Sequence, residues 1–493
     1  MADAVVVGSG PNGLVAAVIL ARAGLEVEVY EASDHIGGGC RTGEVTLPGF
    51  HHDLCAGAHP MAVASPVFRA FDLKTQGVEL LTPQVSYAHP LDGGHAGLAW
   101  LDLDRTADGL GRDGGSWRRL FGPLVRKWED LVGLAMSDLR HPPIDPAGLL
   151  HLDPGIELRF VRRLLEQSTP LWNMRFREDI APALLTGVAA HAIRPPRGVP
   201  GAGVAMLLGT LAHVSGWPVP RGGSQAIVDA LADDLKTHSG RIFTGHRVDS
   251  LDEFDEVRAV LLDVAPAELQ RIATLPARYN FALNRFRYGG AACKVDFALA
   301  GPVPWQATGC DRAGTLHLVG TRAEAVAAEK AVAAGRHADR PYVLAIQPGV
   351  VDPTRAPEGK HTLYTYAHVP HGSAEDLTEA VTAQVERFAP GFRDLVLATH
   401  VRTAATMPAH NPNYIGGDIS AGAMTLRQTV FRPAPRWNPY STPLPGVYLC
   451  SSATPPGPGV HGMNGYFAAR HALRTEFDVR TDPLELLTDH WRI

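Results

Sequence analysis

The sequence predicts an α/β fold whose amino-terminal unit is of the Rossmann type, and three observations predict it. Ala4–Val7 (AVVV) is a short unbroken apolar run, as buried parallel strands are. A glycine-rich turn, Gly8-Ser9-Gly10-Pro11-Asn12-Gly13, follows directly and opens a stretch of helical apolar content, Leu14 to Ala23. Gly24 ends that stretch, and Leu25 to Tyr30 alternates as a second strand closed by Glu31.

Each part of this unit has a chemical reason. Gly8 permits the tight turn from strand to helix, Gly10 lets the backbone approach a pyrophosphate, and Gly13 lets the helix pack close on the sheet. The helix start, with Ser9, Pro11 and Asn12 in the turn, offers free N–H groups and the positive end of a dipole to a diphosphate. Glu31 lies 18 positions beyond Gly13, with Ala32 after it. A carboxylate there accepts hydrogen bonds from ribose hydroxyls and repels a 2′-phosphate, so a dinucleotide is expected and NADP is disfavoured.

The next segment, Ile36-Gly37-Gly38-Gly39-Cys40-Arg41-Thr42, chooses between NAD and FAD. It resembles the glycine-doublet segment of the glutathione-reductase-like FAD superfamily, in which a doublet followed by Arg and Ser/Thr runs past the FAD diphosphate. Gly38 and Gly39 allow close backbone approach, and Arg41 adds a charge-assisted contact to phosphate, with Thr42 beside it. Cys40 reads as a small buried thiol. FAD is therefore the expected cofactor, and an NAD-dependent dehydrogenase is disfavoured.

Four further segments carry a resemblance over nearly the whole chain: Pro48-Gly49-Phe50 to His59-Pro60, Gly216-Trp217-Pro218 through Ser224, Ala409-His410-Asn411-Pro412-Asn413-Tyr414, and Tyr448 to Ala469. With these the chain resembles the phytoene desaturase and amine oxidase branch of flavoproteins. The nearest likeness is to the phytoene-dehydrogenase-like group that includes pyridine nucleotide-disulfide oxidoreductase domain-containing protein 2. The resemblance implies a glutathione-reductase-like (Rossmann-type) FAD domain, discontinuous in sequence, with an inserted α+β substrate domain. The FAD domain is expected from residues 1–75, 218–272 and 440–493, and the substrate domain from 76–217 and 273–439.

The resemblance also implies roles. The Arg221-Gly222-Gly223-Ser224 turn should reopen the FAD domain, followed by a helix over Gln225–Leu235 and strands over Arg241–Val248 and Ala259–Val264. Val248 stands where relatives meet the adenine through their backbone. Ala58 and His59 lie in the segment after the doublet, near the flavin ring. A strand over Gly446–Cys450 leads to the place where many relatives carry an acid for the ribityl chain; this sequence has Ser452 or Thr454 there, and a hydroxyl can bond a sugar alcohol. Gly462, Met463 and Asn464 open a last helix, Tyr466 to Arg474, expected to aim its free N–H groups at the flavin pyrimidine. Gly457-Pro458-Gly459-Val460-His461-Gly462 also spells GxGxxG, but 31 residues follow it without a second strand and acid in register, so a second nucleotide site is rejected.

Composition excludes other classes. With 45% hydrophobic and 19% charged residues the chain suits a compact enzyme, and a net charge of −6 offers no footprint for nucleic acid. Five dispersed cysteines form no CxxC pair, which excludes a dithiol centre and a metal cluster and suggests a cytoplasmic protein. The first strand starts almost at the initiator Met, so no signal peptide is expected. Residues 198–217 hold no charge over twenty positions but contain five glycines and a proline, so they read as a buried pocket-lining helix. A peripheral membrane contact is the other reading of that stretch. The charged run Arg159 to Arg163 reads as a solvated helix face.

No Ser-His-Asp spacing, HExxH or paired-carboxylate motif stands out. With 22 histidines, position must single out candidates, and His59 and His461 are the two that the resemblance places near the ring. Each could exchange a proton with substrate or flavin. The function expected is hydride transfer from a substrate carbon to flavin N5, desaturating or isomerising a carbon–carbon double bond in a small hydrophobic substrate. An amine or alcohol oxidase using O₂, and a flavoprotein acting mainly as an interaction partner, are the alternatives.

Overall fold

The computed structural model describes residues 2–138 and 162–488; most of the Arg159–Arg163 run lies outside them. The α/β architecture rests on two sheets. The first has five strands in the spatial order Val447–Leu449, Ala259–Leu262, Ala4–Val7, Val27–Tyr30, Arg241–Phe243. Every pairing within it is parallel. Buried on both faces, its strands read as continuous apolar runs rather than alternating ones.

The helix after the glycine turn spans Pro11–Arg22, three residues earlier than its apolar content suggests, because Pro11 is preset for the first helical position. All residues from Asn12 to Ala21 are buried. The helix lies between the sheet and two others, Gln225–Thr237 and Met463–Glu476, so it is apolar all round instead of amphipathic. The last helix presses so closely that a Cβ on Gly465 would fall inside 3.0 Å of the Asn12 carbonyl oxygen. The strand expected to reach Val248 stops at Phe243. Gly245 turns the chain at φ +67°, and Gly245 and His246 then bond the carbonyls of Ser33 and Glu31.

The second sheet has seven strands: Val396–Arg402, Ala291–Leu299, His361–Val369, Val343–Ile346, Ala313–Leu318, Val85–Leu91, His95–Trp100. The pairing of Ala313–Leu318 with Val85–Leu91 is parallel and the others are antiparallel. One face packs on its own core around Val295, Phe297, Leu316 and Phe388. The other carries Leu344 and Ile346 on one strand and Tyr364 and Tyr366 on the next. Side chains two apart share a face, and the register sets Ile346 opposite Tyr364 and Leu344 opposite Tyr366. These four make an apolar and aromatic plate that faces the first sheet's glycine turn across a cavity.

The uncharged stretch forms the helix Val199–Ala212, packed among Pro60–Ala64, Gly114–Val125 and Ile180–Ala189. Among the described residues no helix is long and apolar enough to cross a membrane. Trp217 ends the stretch fully buried, its indole N–H donating to the Leu208 carbonyl at 3.1 Å.

Candidate active site

A cavity of about 780 Å³ runs from the glycine turn to the apolar plate of the second sheet. That is within the range of cofactor and substrate sites. At one end the parallel strand Ala4–Val7 delivers Gly8, Ser9, Gly10, Pro11 and Asn12 to its wall. Gly10 has no side chain to cap the helix start, Pro11 has no N–H, and the Gly13 N–H is already bonded to Asp263, so the Asn12 N–H and the dipole are what the start offers an anion. Glu31 and Ala32 line the next part. The Glu31 carboxylate accepts from the Ser9 N–H at 2.9 Å, the Ser9 hydroxyl at 2.6 Å and the Ser33 N–H at 2.8 Å, which fixes the acid at the strand tip.

Gly38, Gly39 and Arg41 complete this half. A Cβ at Gly38 would lie 3.1 Å from the Gly10 Cα, so the two glycine segments approach backbone to backbone. Arg41 donates to the Ser33 hydroxyl at 2.9 Å and to the His410 carbonyl at 2.5 Å, while its Nε is buried without a partner. An orphaned guanidinium N–H on the same cavity wall as a helix start suits a diphosphate.

Ala58, His59, Val248 and Ser452 also line the cavity. Val248 reaches it from the irregular segment after Gly245 rather than from a strand, and its carbonyl accepts from Arg271 at 2.7 Å. Ser452 lies 3.4 Å from the Asn12 amide nitrogen. His59 caps the short helix Pro60–Ala64. The Ser224 hydroxyl gives its proton to the Ala56 carbonyl at 2.6 Å, so the 2.7 Å contact with His59 is donated by His59 Nε2. Nδ1 is then an unpartnered buried acceptor. Burial pushes the His59 pKa down to about 4, so the ring is neutral at neutral pH.

Six residues expected at the cofactor stand behind the wall instead. The Gly13 N–H is taken by the Asp263 carboxylate at 3.0 Å, and its missing Cβ serves helix packing. The Thr42 hydroxyl donates to Asp53 at 2.7 Å and accepts from the Gln225 N–H at 3.2 Å, tying the doublet segment to the second glycine turn. The last helix begins at Met463, not Tyr466, with Gly462 at φ +69° turning the chain into it. His461 is thereby folded inward: its Nδ1 accepts the Met463 N–H at 3.1 Å, and burial holds its pKa near about 4. Asn464 is fully buried and donates to the carbonyls of Thr454 at 2.8 Å and Pro455 at 3.1 Å. His461, Gly462, Met463 and Asn464 thus support the wall formed by Ser451, Ser452 and Pro458–Val460. The second GxGxxG contributes to this same cavity, with no strand after it among the described residues.

Other lining residues carried no assignable signal in the sequence. Asn413 accepts the Ala265 N–H at 2.7 Å and donates to the Asp263 carbonyl at 3.2 Å, pinning the loop after strand Ala259–Leu262. On the plate, Tyr364 is flanked by Lys294 from the neighbouring strand, whose ammonium lies 4.0 Å from the ring centroid, and its hydroxyl donates to the Cys55 carbonyl. His191 enters beside Trp217, its Nε2 at 2.9 Å from Nε2 of buried His317, and burial pushes its pKa down to about 3. Its neighbours in sequence, Ala190 and Ala192, say nothing of this. All five cysteines are free, and no metal-ligating cluster occurs among the described residues.

Residues 12–465 match the model of the family described as flavin-containing amine oxidoreductase. The chain belongs to that family. Its cofactor is FAD, and the turn, the acid, the doublet and Arg41 are the groups that fit it. Over 548 aligned residues the chain is 28% identical to "Pyridine nucleotide-disulfide oxidoreductase domain-containing protein 2" of Rattus norvegicus, covering 96% of this chain and 93% of that protein. A shorter match, 30% over 129 residues and 24% of each chain, joins it to the neurosporene-forming phytoene desaturase of Cereibacter sphaeroides. Among solved structures, wild-type putrescine oxidase bound to putrescine superposes with a TM-score of 0.56 at 16% identity, covering 97% of this chain and 98% of that one. Likeness at that level shows the fold: a Rossmann-type FAD domain with a substrate domain.

Proposed function

We propose that this flavoprotein removes a hydride from one carbon of a small hydrophobic substrate while the neighbouring carbon loses a proton to solvent, making a carbon–carbon double bond, or returns the hydride at another carbon, moving one. FAD, when bound, supplies the hydride acceptor. The observation that carries the proposal is the substrate-side wall: Leu208, Trp217, Leu344, Ile346, Tyr364 and Tyr366 line it, and the acids lining the cavity, Glu31, Asp263 and Glu268, belong to the nucleotide side. A cationic amine entering here would give up its hydration without a carboxylate to compensate, which costs several kcal/mol. An apolar chain gains about 25 cal/mol for each Å² it buries. The partial match to a phytoene desaturase supports the same class.

In this scheme the plate and Trp217 orient the substrate and exclude water, and His59 and His191 enter as neutral groups. Their depressed pKa values make them poor resting cations and suit a reaction without a strong protein base. The amine-oxidase alternative draws on the putrescine oxidase likeness, which is one of fold. Anaerobic mixing of the holoprotein with a panel of terpenoid or polyene hydrocarbons and a panel of amines separates the two. Loss of flavin absorbance at about 450 nm with a hydrocarbon is the expected result. Bleaching by amines with none by hydrocarbons would overturn the proposal.

A further inference from the structure

Asp263 follows strand Ala259–Leu262 and sits directly on the glycine turn. Its Oδ2 accepts the Gly13 N–H at 3.0 Å and lies 2.6 Å from where a Gly10 Cβ would be. Its Oδ1 has no hydrogen-bond partner among the described residues, and the residue lines the cavity. A carboxylate is thus placed against the helix start that must receive a dianionic diphosphate. Two anions cannot share that position at low dielectric without a proton or a cation between them. The charged group acting on Asp263 is another acid, Glu31 at the end of Val27–Tyr30 on the far side of Ala4–Val7, which adds to the repulsion. Cys40 of the doublet segment and Cys450 beside the edge strand are thiols held well above their ordinary values by burial, so neither is a charge near neutrality. Of the arginines on the cavity wall, Arg41 keeps a free Nε for the diphosphate but forms no ion pair with Asp263 among the described residues, and Arg271 is engaged with Val248 and two acids. Arg247 pairs with Asp249 and Glu268.

We propose that Asp263 recognises the FAD diphosphate as a neutral acid, accepting the Gly13 N–H through one oxygen and donating a proton to the phosphate through the other, so that FAD binding takes up one proton from solvent. Burial already raises the Asp263 pKa to about 7 in the cofactor-free protein, and an added diphosphate raises it further. Below that value the proton is in place before FAD arrives. Above it, each pH unit weakens binding about tenfold. The side chain of asparagine reproduces the neutral acid, with an oxygen for Gly13 and an N–H₂ for the phosphate.

Apoprotein titrated with FAD between pH 6 and 9, followed by flavin fluorescence, tests this. Wild-type Kd is expected flat below about pH 7 and to rise roughly tenfold per unit above it. Asp263→Asn should hold Kd constant within about twofold across the range and bind roughly a hundredfold tighter than wild type at pH 9. A wild-type Kd independent of pH, or an Asp263→Asn profile as steep as wild type, would overturn the proposal. Calorimetry of the unaltered protein in two buffers of different ionisation enthalpy gives a second readout. Uptake of about one proton is expected at pH 8 and close to none at pH 6. Uptake near zero at pH 8 would refute it whether or not the variant folds.

Discussion

Gly13→Ala is the sharpest test of how the turn works. A Cβ there would fall well inside 3.0 Å of the Gly8 carbonyl oxygen and at 3.1–3.2 Å from Asp263. The first obstacle is backbone and cannot swing aside, so the helix Pro11–Arg22 has to withdraw by about 1 Å to reach ordinary contact. That helix is held between the sheet and two other helices, so the movement overpacks its far side at about 1–3 kcal/mol. It also strains or breaks the Gly13–Asp263 bond, for about 1–3 kcal/mol more. The sum, about 2–6 kcal/mol, corresponds to a fall in Tm of about 2–6 °C for a chain of this size. Withdrawal removes the Asn12 N–H from the diphosphate, and the lower end of the range already means at least about a tenfold loss of FAD affinity. Flavin-to-protein absorbance of the purified variant, FAD titration and a thermal melt measure all three. Gly24→Ala is the control: its φ is +87° but nothing lies within 4 Å of the added Cβ. It should cost about 1 kcal/mol and leave FAD binding unchanged. A yellow Gly13→Ala protein with wild-type affinity and melting temperature would refute the account.

Arg41→Ala removes a charge-assisted contact and should weaken FAD binding by about ten- to a hundredfold, with little change in apoprotein stability; a Kd within twofold of wild type would exclude a phosphate contact. Acid should destabilise the fold through its histidines. His52, His59, His89, His213 and His461 are all pushed from 6.5 down to about 4 by burial. Below pH 6.5 the unfolded chain binds protons that the folded one refuses, so stability is full above that pH and is lost as it falls toward 4. Asp263 and Asp418, both raised by burial, act in the opposite sense but are outnumbered by the histidines. Thermal melts from pH 7.5 to 4.5 should therefore fall steadily, and a flat profile would contradict these burial-driven shifts.

The amino-terminal half of the site was legible because its constraints are local. Gly8, Gly10 and Gly38 are demanded by backbone proximity within one turn and its neighbour, and Glu31 by the length of one helix and one strand. The wall of the cavity was not legible in the same way. Asp263 reads in sequence as a polar residue after an apolar strand, and only parallel pairing with Ala4–Val7 sets it over Gly10. His461 and Asn464 were expected at the ring because they border the closing helix. A one-turn shift of that helix's start, set by Gly462, buries them and leaves Pro458–Val460 at the surface of the cavity. His191 had no signal, since its place depends on Trp217 and His317 folding against it.

The order of strands in the five-stranded sheet has a consequence for how the protein is made. Gly13 is bonded to Asp263, 250 residues further on, and Asn12 faces Ser452, 440 residues further on. As the chain leaves the ribosome, the glycine turn emerges early, yet its neighbour Ala259–Leu262 follows only after Val85–Leu91 and His95–Trp100 of the second sheet, and the edge strand Val447–Leu449 that backs Ser452 follows after all of that sheet. Strand Ala4–Val7 must wait with one edge open, which is when such an edge recruits unwanted partners. Closing the cavity around FAD is accordingly a late event, and a stop codon before Val447 removes the wall formed by Ser451, Ser452 and Pro458–Val460.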